Sequence, residues 1–155
     1  MYRRILLPLD GSDVAEQALP FALAQAERFR AQLTLLRAVE PILYNRSLAT
    51  LDDARQERLD WAREYLEGVA TRIRERGIQV EVVITEDAPH VAITGFAEAN
   101  EVDLIALCSR GHSGPSRWLM GSVADRIVRG ASVPVLLVRA QQKQRTGRIS
   151  DGKDG

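Results

Sequence analysis

The sequence predicts an α/β domain of three layers (α/β/α), in which helices cover both faces of an open, twisted sheet of five parallel strands. Short apolar runs alternate along the chain with longer amphipathic stretches, the order expected of right-handed β-α-β units. The apolar runs are nearly continuous, as they are in strands buried on both faces. With 155 residues, 45% of them hydrophobic, the chain is long enough for one such domain with a sizeable core.

The first β-α unit occupies roughly the first thirty residues. Residues 5–9 form a short apolar run that predicts a buried strand ended by a polar turn. Ser12 or Asp13 can cap the helix that follows, with Glu16 placed for a capping box. Apolar residues at helical spacing continue to about residue 30, so Pro20 inside this stretch predicts a bend rather than a break.

The second unit contains the longest predicted helix. Residues 32–39 predict a strand, and residues 40–50 a loop. Residues 51–76 then form a long amphipathic stretch whose outer face mixes charges of both signs, as solvated helix faces do. Gly77 is a plausible stop for this helix.

The rest of the chain continues the alternation. Each apolar run is followed by a helical stretch or a glycine-containing loop. The predicted elements are a strand at 79–85, a helix at 89–100, a strand at 103–108, a helix at 121–129 and a strand at 133–138.

The predicted sheet also indicates where a ligand would bind. In open parallel sheets, ligands bind beyond the carboxyl ends of the strands, where the strand order reverses. The candidate site is therefore formed by the turns after the first, second and fourth strands. These turns comprise residues 10–12, residues 38–40 and the segment from Ser109 onward.

The segment from Cys108 to Ser122 has features of an anion site. Gly111 and Gly114 allow backbone N–H groups to approach a ligand closely. Gly121-Ser122 begins a helix, whose free N–H groups and dipole favour a negative charge. Four arginines and one acidic residue lie between positions 108 and 130. The pattern predicts a phosphate site, and a flexible turn with an N-cap serine is the alternative.

Charge and cysteine content exclude several other classes. The 21 basic and 21 acidic residues balance, which argues against a general nucleic-acid binder. The single cysteine, Cys108, excludes an internal disulfide. The sequence contains no Cys-x-x-Cys motif or His/Cys cluster that would indicate a structural zinc site. The only lysines are Lys143 and Lys153, so a Walker phosphate loop is absent. No apolar run reaches the roughly 18 residues that cross a bilayer, and no signal peptide is evident, so we expect a cytoplasmic protein.

The C-terminal part divides into an edge strand and a tail. Residues 1–139 form the predicted domain, and residues 140–155 are polar and predict a disordered tail. The last strand, residues 133–138, is apolar and is expected at an exposed sheet edge. Such an edge favours a homodimer in which the strand pairs with its copy across a twofold axis.

The combined pattern resembles the universal stress protein family. The family's signature is Gly, two residues, Gly, nine residues and Gly-Ser/Thr, and it maps here to Cys108, Gly111 and Gly121-Ser122. The first glycine is thus replaced by Cys108, and Asp87 stands where the family often has glycine. The resemblance covers about residues 1–139 and implies a Rossmann-like fold of the adenine nucleotide alpha hydrolase type.

The ATP-binding branch of that family implies a set of ligand contacts. Pro8, Leu9 and Asp10 would lie beside the adenosine, with Asp10 holding ribose hydroxyls. Ala38 and Val39 would offer backbone groups to adenine. The ribose and phosphates, together with Mg²⁺ or Mn²⁺ if a metal is required, would be held by the remaining positions. These are Cys108, Ser109, Arg110, Gly111, His112, Ser113, Gly114, Gly121, Ser122 and Val123.

Several of these residues also have simpler interpretations. Asp10 could instead cap the first helix, Cys108 could be an inert core residue, and His112 could be solvated. Trp61 and Trp118 are expected to be packing residues. No nucleophile has a convincing base in the sequence, so we predict no catalytic residue.

The resulting functional prediction is an ATP-binding stress-response or regulatory protein in which the nucleotide acts as a conformational or dimer switch. One alternative is a non-nucleotide-binding member of the same family that acts as a dimeric interaction module. The other is a slow ATPase that uses the same pocket.

Overall fold

A computed structural model describes residues 1–41, 48–110 and 120–141, with side chains from residue 51 in the second range. Strands and helices alternate through these residues, as the apolar pattern predicts. In chain order they are β1 (Arg4–Pro8), a 3₁₀ helix (Ala15–Ala18), α1 (Leu19–Phe29), β2 (Gln32–Ala38), α2 (Leu48–Arg74), β3 (Val80–Thr85), α3 (Pro89–Ala99), β4 (Leu104–Cys108), α4 (Ser122–Gly130) and β5 (Val135–Val138).

All strand pairs in the five-stranded sheet are parallel, and the order is β3-β2-β1-β4-β5. Strand β1 pairs with β2 in a register that places Leu7 opposite Leu35. On its other side β1 pairs with β4, with Ile5 opposite Leu104. The chain therefore builds the sheet in one direction from β1 and then in the other, so the strand order reverses between β1 and β4. The predicted fold class is confirmed, and the reversal defines the place where a ligand site is expected.

The central strands of the sheet, β1, β2 and β4, are largely buried, which explains why they are mostly apolar. Every residue of β4 is buried. Alternate residues of β1 belong to different core clusters, with Ile5 and Leu7 in one and Leu6 in the other. The first cluster includes residues of α1 and α2, such as Leu66, and the second includes residues of α3 and α4, such as Ile127. The two helix layers therefore lie on opposite faces of the sheet.

The first helix differs from the sequence-based expectation. The stretch after β1 is not one bent helix, because the 3₁₀ helix ends before α1 begins at Leu19. Pro20 is consequently in the first turn of α1. A backbone N–H at that position has no acceptor within the helix, so proline is accommodated there without a lost hydrogen bond. The predicted single helix is thus divided at Ala18–Leu19, before Pro20, by a change of helix type.

The other element boundaries lie close to those predicted. The helix predicted at 51–76 spans Leu48–Arg74, and the last strand begins at Val135 rather than at residue 133. Gly77 has a φ of +78°, a left-handed conformation that suits a glycine beyond the end of a helix. Its N–H donates to the Arg74 carbonyl at 2.8 Å. The predicted stop near Gly77 is therefore confirmed.

The predicted C-terminal tail begins beside the domain. Gln141 and Gln17 exchange two hydrogen bonds, from the Gln141 N–H to Gln17 Oε1 at 2.7 Å and from Gln17 Nε2 to the Gln141 carbonyl at 3.0 Å. These bonds attach the start of the tail to the 3₁₀ helix. Residues 142–155, to which most of the tail prediction applies, lie outside the described residues.

Candidate functional site

A cavity of about 240 Å³ lies beyond the carboxyl ends of β1, β2 and β4. The reversal of strand order separates the segments that follow β1 and β4, because one turns toward α1 and the other toward α4. The space between them is bounded by the starts of α3 and α4. Nine residues predicted from the sequence line it: Pro8, Leu9, Asp10, Ala38, Cys108, Arg110, Gly121, Ser122 and Val123.

The remaining predicted site residues divide into two groups. Val39 and Ser109 are described but do not line the cavity. The Val39 side chain is buried, and its N–H donates to the Thr85 carbonyl at 2.8 Å, so this backbone donor is used in holding β2 to β3. Gly111, His112, Ser113 and Gly114 lie outside the described residues, as does Trp118.

The floor of the cavity was not predicted from the sequence. It is formed by apolar side chains that include Leu36, Ile93, Leu107 and Ile127. These residues belong to the core on the α3 and α4 side of the sheet. The apolar periodicity of these segments predicts burial, but it does not distinguish a core position from one that lines a cavity.

The turn after β1 presents an acidic group to the cavity. Asp10 is exposed, and its Oδ1 accepts hydrogen bonds from Ser12 N–H at 2.9 Å and from the Ser12 hydroxyl at 2.5 Å. The Ser12 Oγ in turn accepts from the Ala15 N–H at 3.1 Å. The Ser12 side chain therefore satisfies the first N–H of the 3₁₀ helix, although the residue at the N-cap position is Val14. Asp10 accepts hydrogen bonds from Ser12 and does not cap the 3₁₀ helix, so the alternative that Asp10 is the helix cap is wrong.

Glu16 does not complete the predicted capping box. Its Oε1 accepts a hydrogen bond from the Tyr65 hydroxyl at 2.7 Å, which joins the 3₁₀ helix to α2. Burial and this bond to Glu16 raise the pKa of the Tyr65 hydroxyl above its ordinary value. The hydroxyl therefore stays a hydrogen-bond donor throughout the neutral range.

Ser109 connects the start and the end of the loop that follows β4. Its carbonyl accepts the Gly121 N–H at 2.7 Å, so the backbone before α4 returns to the strand end. Its own N–H donates to the Val138 carbonyl at 2.7 Å, and its Oγ accepts the Ala140 N–H at 3.0 Å. The loop entrance, the start of α4 and the end of β5 are thus held at one residue.

The start of α4 has the properties of an anion site. Gly121 is the N-cap residue and supplies no side chain to satisfy the first helical N–H groups. Ser122, the first helical residue, is exposed beside the cavity. Arg110 lines the same cavity, whereas Arg129 is paired with Asp125 at 3.0 Å and is partly neutralised. The positive end of the helix and the Arg110 guanidinium therefore favour a negative group at this end of the cavity.

Cys108 ends β4 and lines the cavity. Its side chain is buried and forms no disulfide. This position agrees with the interpretation of a small residue at a buried strand end. Its thiol stands where a glycine would leave more room for a ligand.

The described residues contain no group of three or more His, Cys, Asp or Glu side chains placed to hold a metal ion. Across the same ranges, none of the helices has the length and apolar character needed to cross a bilayer. The lining of the cavity combines an apolar floor, the carboxylate of Asp10, and a helix start with an arginine. It can accept a ligand that carries an apolar or aromatic part, hydroxyl groups and a negative charge.

Comparisons with known proteins agree with this architecture. The model of the family described as the universal stress protein family matches residues 1–139. Universal stress protein MJ0531 of Methanocaldococcus jannaschii is 30% identical over 146 residues, covering 93% of this chain and 86% of its own length. A universal stress protein of Thermus aquaticus is 32% identical over 145 residues, covering 90% of this chain and all of its own length.

Solved structures share the fold. The universal stress protein UspA from Lactobacillus plantarum superposes with a TM-score of 0.80 at 27% identity, covering 89% of this chain and 98% of its own. A universal stress protein in complex with cAMP has a TM-score of 0.69 at 23% identity, covering 90% and 98% of the two chains. The protein from Archaeoglobus fulgidus in complex with dAMP has a TM-score of 0.60 at 24% identity, covering 88% and 98%. With its sheet order, its strand-end cavity and a family match across residues 1–139, the chain belongs to the universal stress protein family.

Proposed function

We propose that this protein binds an adenine nucleotide, ATP, in the strand-end cavity and acts as a cytoplasmic regulatory module of the stress response. The observation that carries the proposal is that the Asp10 carboxylate, an apolar floor and the N-terminus of α4 all line one cavity. A nucleotide has one matching part for each of these features: ribose hydroxyls for the carboxylate, a flat base for the apolar floor and a phosphate chain for the helix start. No catalytic residue is assigned.

Each part of the nucleotide has a counterpart among the described residues. The base would lie against the apolar floor near Leu36 and Ala38. The exposed carboxylate of Asp10 would accept hydrogen bonds from the ribose hydroxyls, since an ionised carboxylate only accepts. The phosphates would lie at Gly121–Val123, where the helix dipole and Arg110 favour negative charge. A Mg²⁺ or Mn²⁺ ion would be carried by the phosphates, because the described residues offer no cluster of metal ligands.

Two relatives of the same fold support an adenine ligand. The universal stress proteins solved with cAMP and with dAMP both hold an adenine nucleotide. In this chain the switch would act through β5, an edge strand whose last residue bonds to Ser109 beside the cavity. Occupancy of the cavity would thereby influence the edge through which we propose that a homodimer forms.

Extraction under denaturing conditions is the first test. Purified protein is denatured, and any released nucleotide is identified by absorbance and mass. Titration calorimetry with ATP and magnesium then gives the affinity of ligand-free protein. The proposal fails if no nucleotide is recovered and ATP produces no binding heat, and that result favours the dimeric module that binds no nucleotide.

Substitution of Ser122 tests the position of the site. Ser122→Ala should weaken ATP binding by about 1 to 3 kcal/mol, the contribution of a hydrogen bond to a charged phosphate. Ser132→Ala is the matched control, because Ser132 is exposed beyond the end of α4. Unchanged affinity in Ser122→Ala would mean that the phosphates bind elsewhere. Steady phosphate release that is abolished by Asp10→Asn or Ser122→Ala would instead favour the slow ATPase.

A further inference from the structure

Arg37 lies next to the cavity but faces away from it. Its neighbours in β2, Leu36 and Ala38, both line the cavity. Because successive side chains of a strand point to opposite faces of the sheet, Arg37 points to the α2 side. There its guanidinium carbon lies 4.6 Å from the ring centroid of Trp61 in α2. This arrangement is a cation–π contact.

The guanidinium also supports the turn after β1. A Cβ atom added to Gly11 would lie 2.7 Å from Arg37 Nη1 and 2.7 Å from Trp61 Cη2. The turn therefore packs directly against both groups. Gly11 has a φ of +87°, so glycine is required there both by its backbone conformation and by this close approach.

Two of the nitrogen atoms of the Arg37 guanidinium donate no hydrogen bond to the described residues. Its Nε and Nη1 are buried and have no acceptor among the described residues. Burial lowers the pKa of the guanidinium, and the negative charge of Asp10 acts in the opposite direction. A buried donor without an acceptor is costly, and natural proteins tolerate such departures mainly at functional sites.

Tyr65 connects Trp61 to the helical segment that follows the turn. Tyr65 stacks on Trp61 with ring centroids 5.8 Å apart and planes inclined by 9°. The Tyr65 hydroxyl donates to Glu16, which lies in the 3₁₀ helix directly after the turn. Arg37, Trp61 and Tyr65 thus form a chain of contacts that meets the turn at Gly11 and the 3₁₀ helix at Glu16.

We propose that Arg37 is a positioning residue for the ligand site, which supports the Asp10–Ser12 turn from behind and so fixes the Asp10 carboxylate in the direction of the cavity. The proposal rests on the proposed function, since Asp10 is the group that would hold the ribose. Arg37 itself touches no ligand. The planar guanidinium is the essential feature, because it lies over the Trp61 ring while its Nη1 approaches Gly11, and a lysine ammonium has no plane with which to make both contacts.

Two measurements on Arg37→Met test the role. In ligand-free protein, amide hydrogen exchange is followed at Ser12 and Ala15, whose N–H groups are both bonded within the turn. Exchange should become faster at both positions. ATP affinity should fall about tenfold, the cost of misplacing one charge-assisted hydrogen bond. Arg72→Met is the matched control, since Arg72 is exposed on α2, and it should change neither quantity.

The conservative variant Arg37→Lys separates charge from shape. It keeps the positive charge but loses the planar stack, so it should recover only part of the affinity and of the exchange protection. It also provides the test if Arg37→Met does not fold. Full recovery in Arg37→Lys, unchanged exchange in Arg37→Met, or faster exchange with unchanged affinity would each overturn the proposal. Failure of the wild type to bind nucleotide contradicts the proposed function instead, and the exchange data still decide whether Arg37 fixes the turn.

Discussion

The Ser109 carbonyl accepts the Gly121 N–H at 2.7 Å, which closes the loop between β4 and α4 at its base. The eleven residues between them, 110–120, therefore begin and end next to each other. Because Gly121 is also the N-cap of α4, the same bond fixes the helix end that faces the cavity. Ser109 bonds in addition to Val138 and Ala140, so the base of the loop is attached to the edge strand β5.

Ser109→Ala should therefore lower stability without breaking the loop base. The variant removes only the acceptor for the Ala140 N–H and leaves both backbone bonds in place. The free energy of unfolding should fall by about 1 kcal/mol, the usual net contribution of one hydrogen bond. Urea unfolding measures it, with Ser132→Ala as the control for loss of an exposed hydroxyl. Equal stability of the wild type and Ser109→Ala would contradict this expectation.

The affinity for ATP should depend on the size of the side chain at position 108: a smaller residue should tighten binding and a larger one should weaken it. The Cys108 side chain is buried at the cavity wall. Cys108→Gly enlarges the cavity and should tighten ATP binding. The same change should lower the free energy of unfolding, because glycine in a strand costs roughly 0.5 to 1 kcal/mol and the buried side chain is also lost. Cys108→Val adds bulk and should weaken binding about tenfold. Calorimetry on both variants checks this, and equal affinities would mean that the thiol is remote from the ligand.

Asp103 should make the stability of the domain dependent on acidic pH. Its Oδ2 accepts the Arg3 and Arg4 N–H groups at 2.7 and 2.9 Å, which joins the start of β1 to the turn before β4. These bonds lower the pKa of the Asp103 carboxyl below its ordinary value. Its stabilisation is therefore complete above the unfolded-state pKa of about 4 and is lost as the pH falls through the lower folded-state pKa.

Asp103→Asn removes this titration and should flatten the decline of unfolding free energy at acidic pH. Urea unfolding at a series of pH values between neutral and strongly acidic measures the slope. Asp87→Asn is the control, because Asp87 is exposed and carries the same charge. An identical acid slope in the wild type and Asp103→Asn would refute this role for Asp103.

The last prediction concerns the sheet edge at β5. The strand is the final one in the order, and its apolar residues Val135 and Leu137 are only partly buried. Val135→Lys or Leu137→Lys should dissociate a dimer formed by pairing of this edge, since charges on an edge strand oppose such pairing. Sedimentation analysis gives the size, and urea unfolding checks that the variant is folded.

Val91→Lys is the matched control for that experiment, because Val91 is exposed on α3 rather than on the sheet edge. It should leave the sedimentation behaviour unchanged. A dimer that survives both β5 substitutions would remove this strand as the interface.

The local pattern of the sequence determined the class of fold and the general location of the cavity. Nearly continuous apolar runs identify strands that are buried on both faces, and stretches with period 3.6 identify helices, because the local geometry of each element decides which of its residues face the core. Once the strands are parallel, their carboxyl ends must share one edge of the sheet. The turn at Asp10 and the helix start at Gly121 could therefore be named from the sequence as candidates.

Contacts between distant parts of the chain were decided only by the tertiary structure. The strand order, the apolar floor at Ile93 and the stack of Arg37 on Trp61 all depend on pairings that leave no periodic signal. Trp61 illustrates the difference, because it was expected to be a packing residue and is 52% exposed, with one ring face covering a cation. Local propensity specifies which residues are buried, whereas three-dimensional packing decides which of them meet.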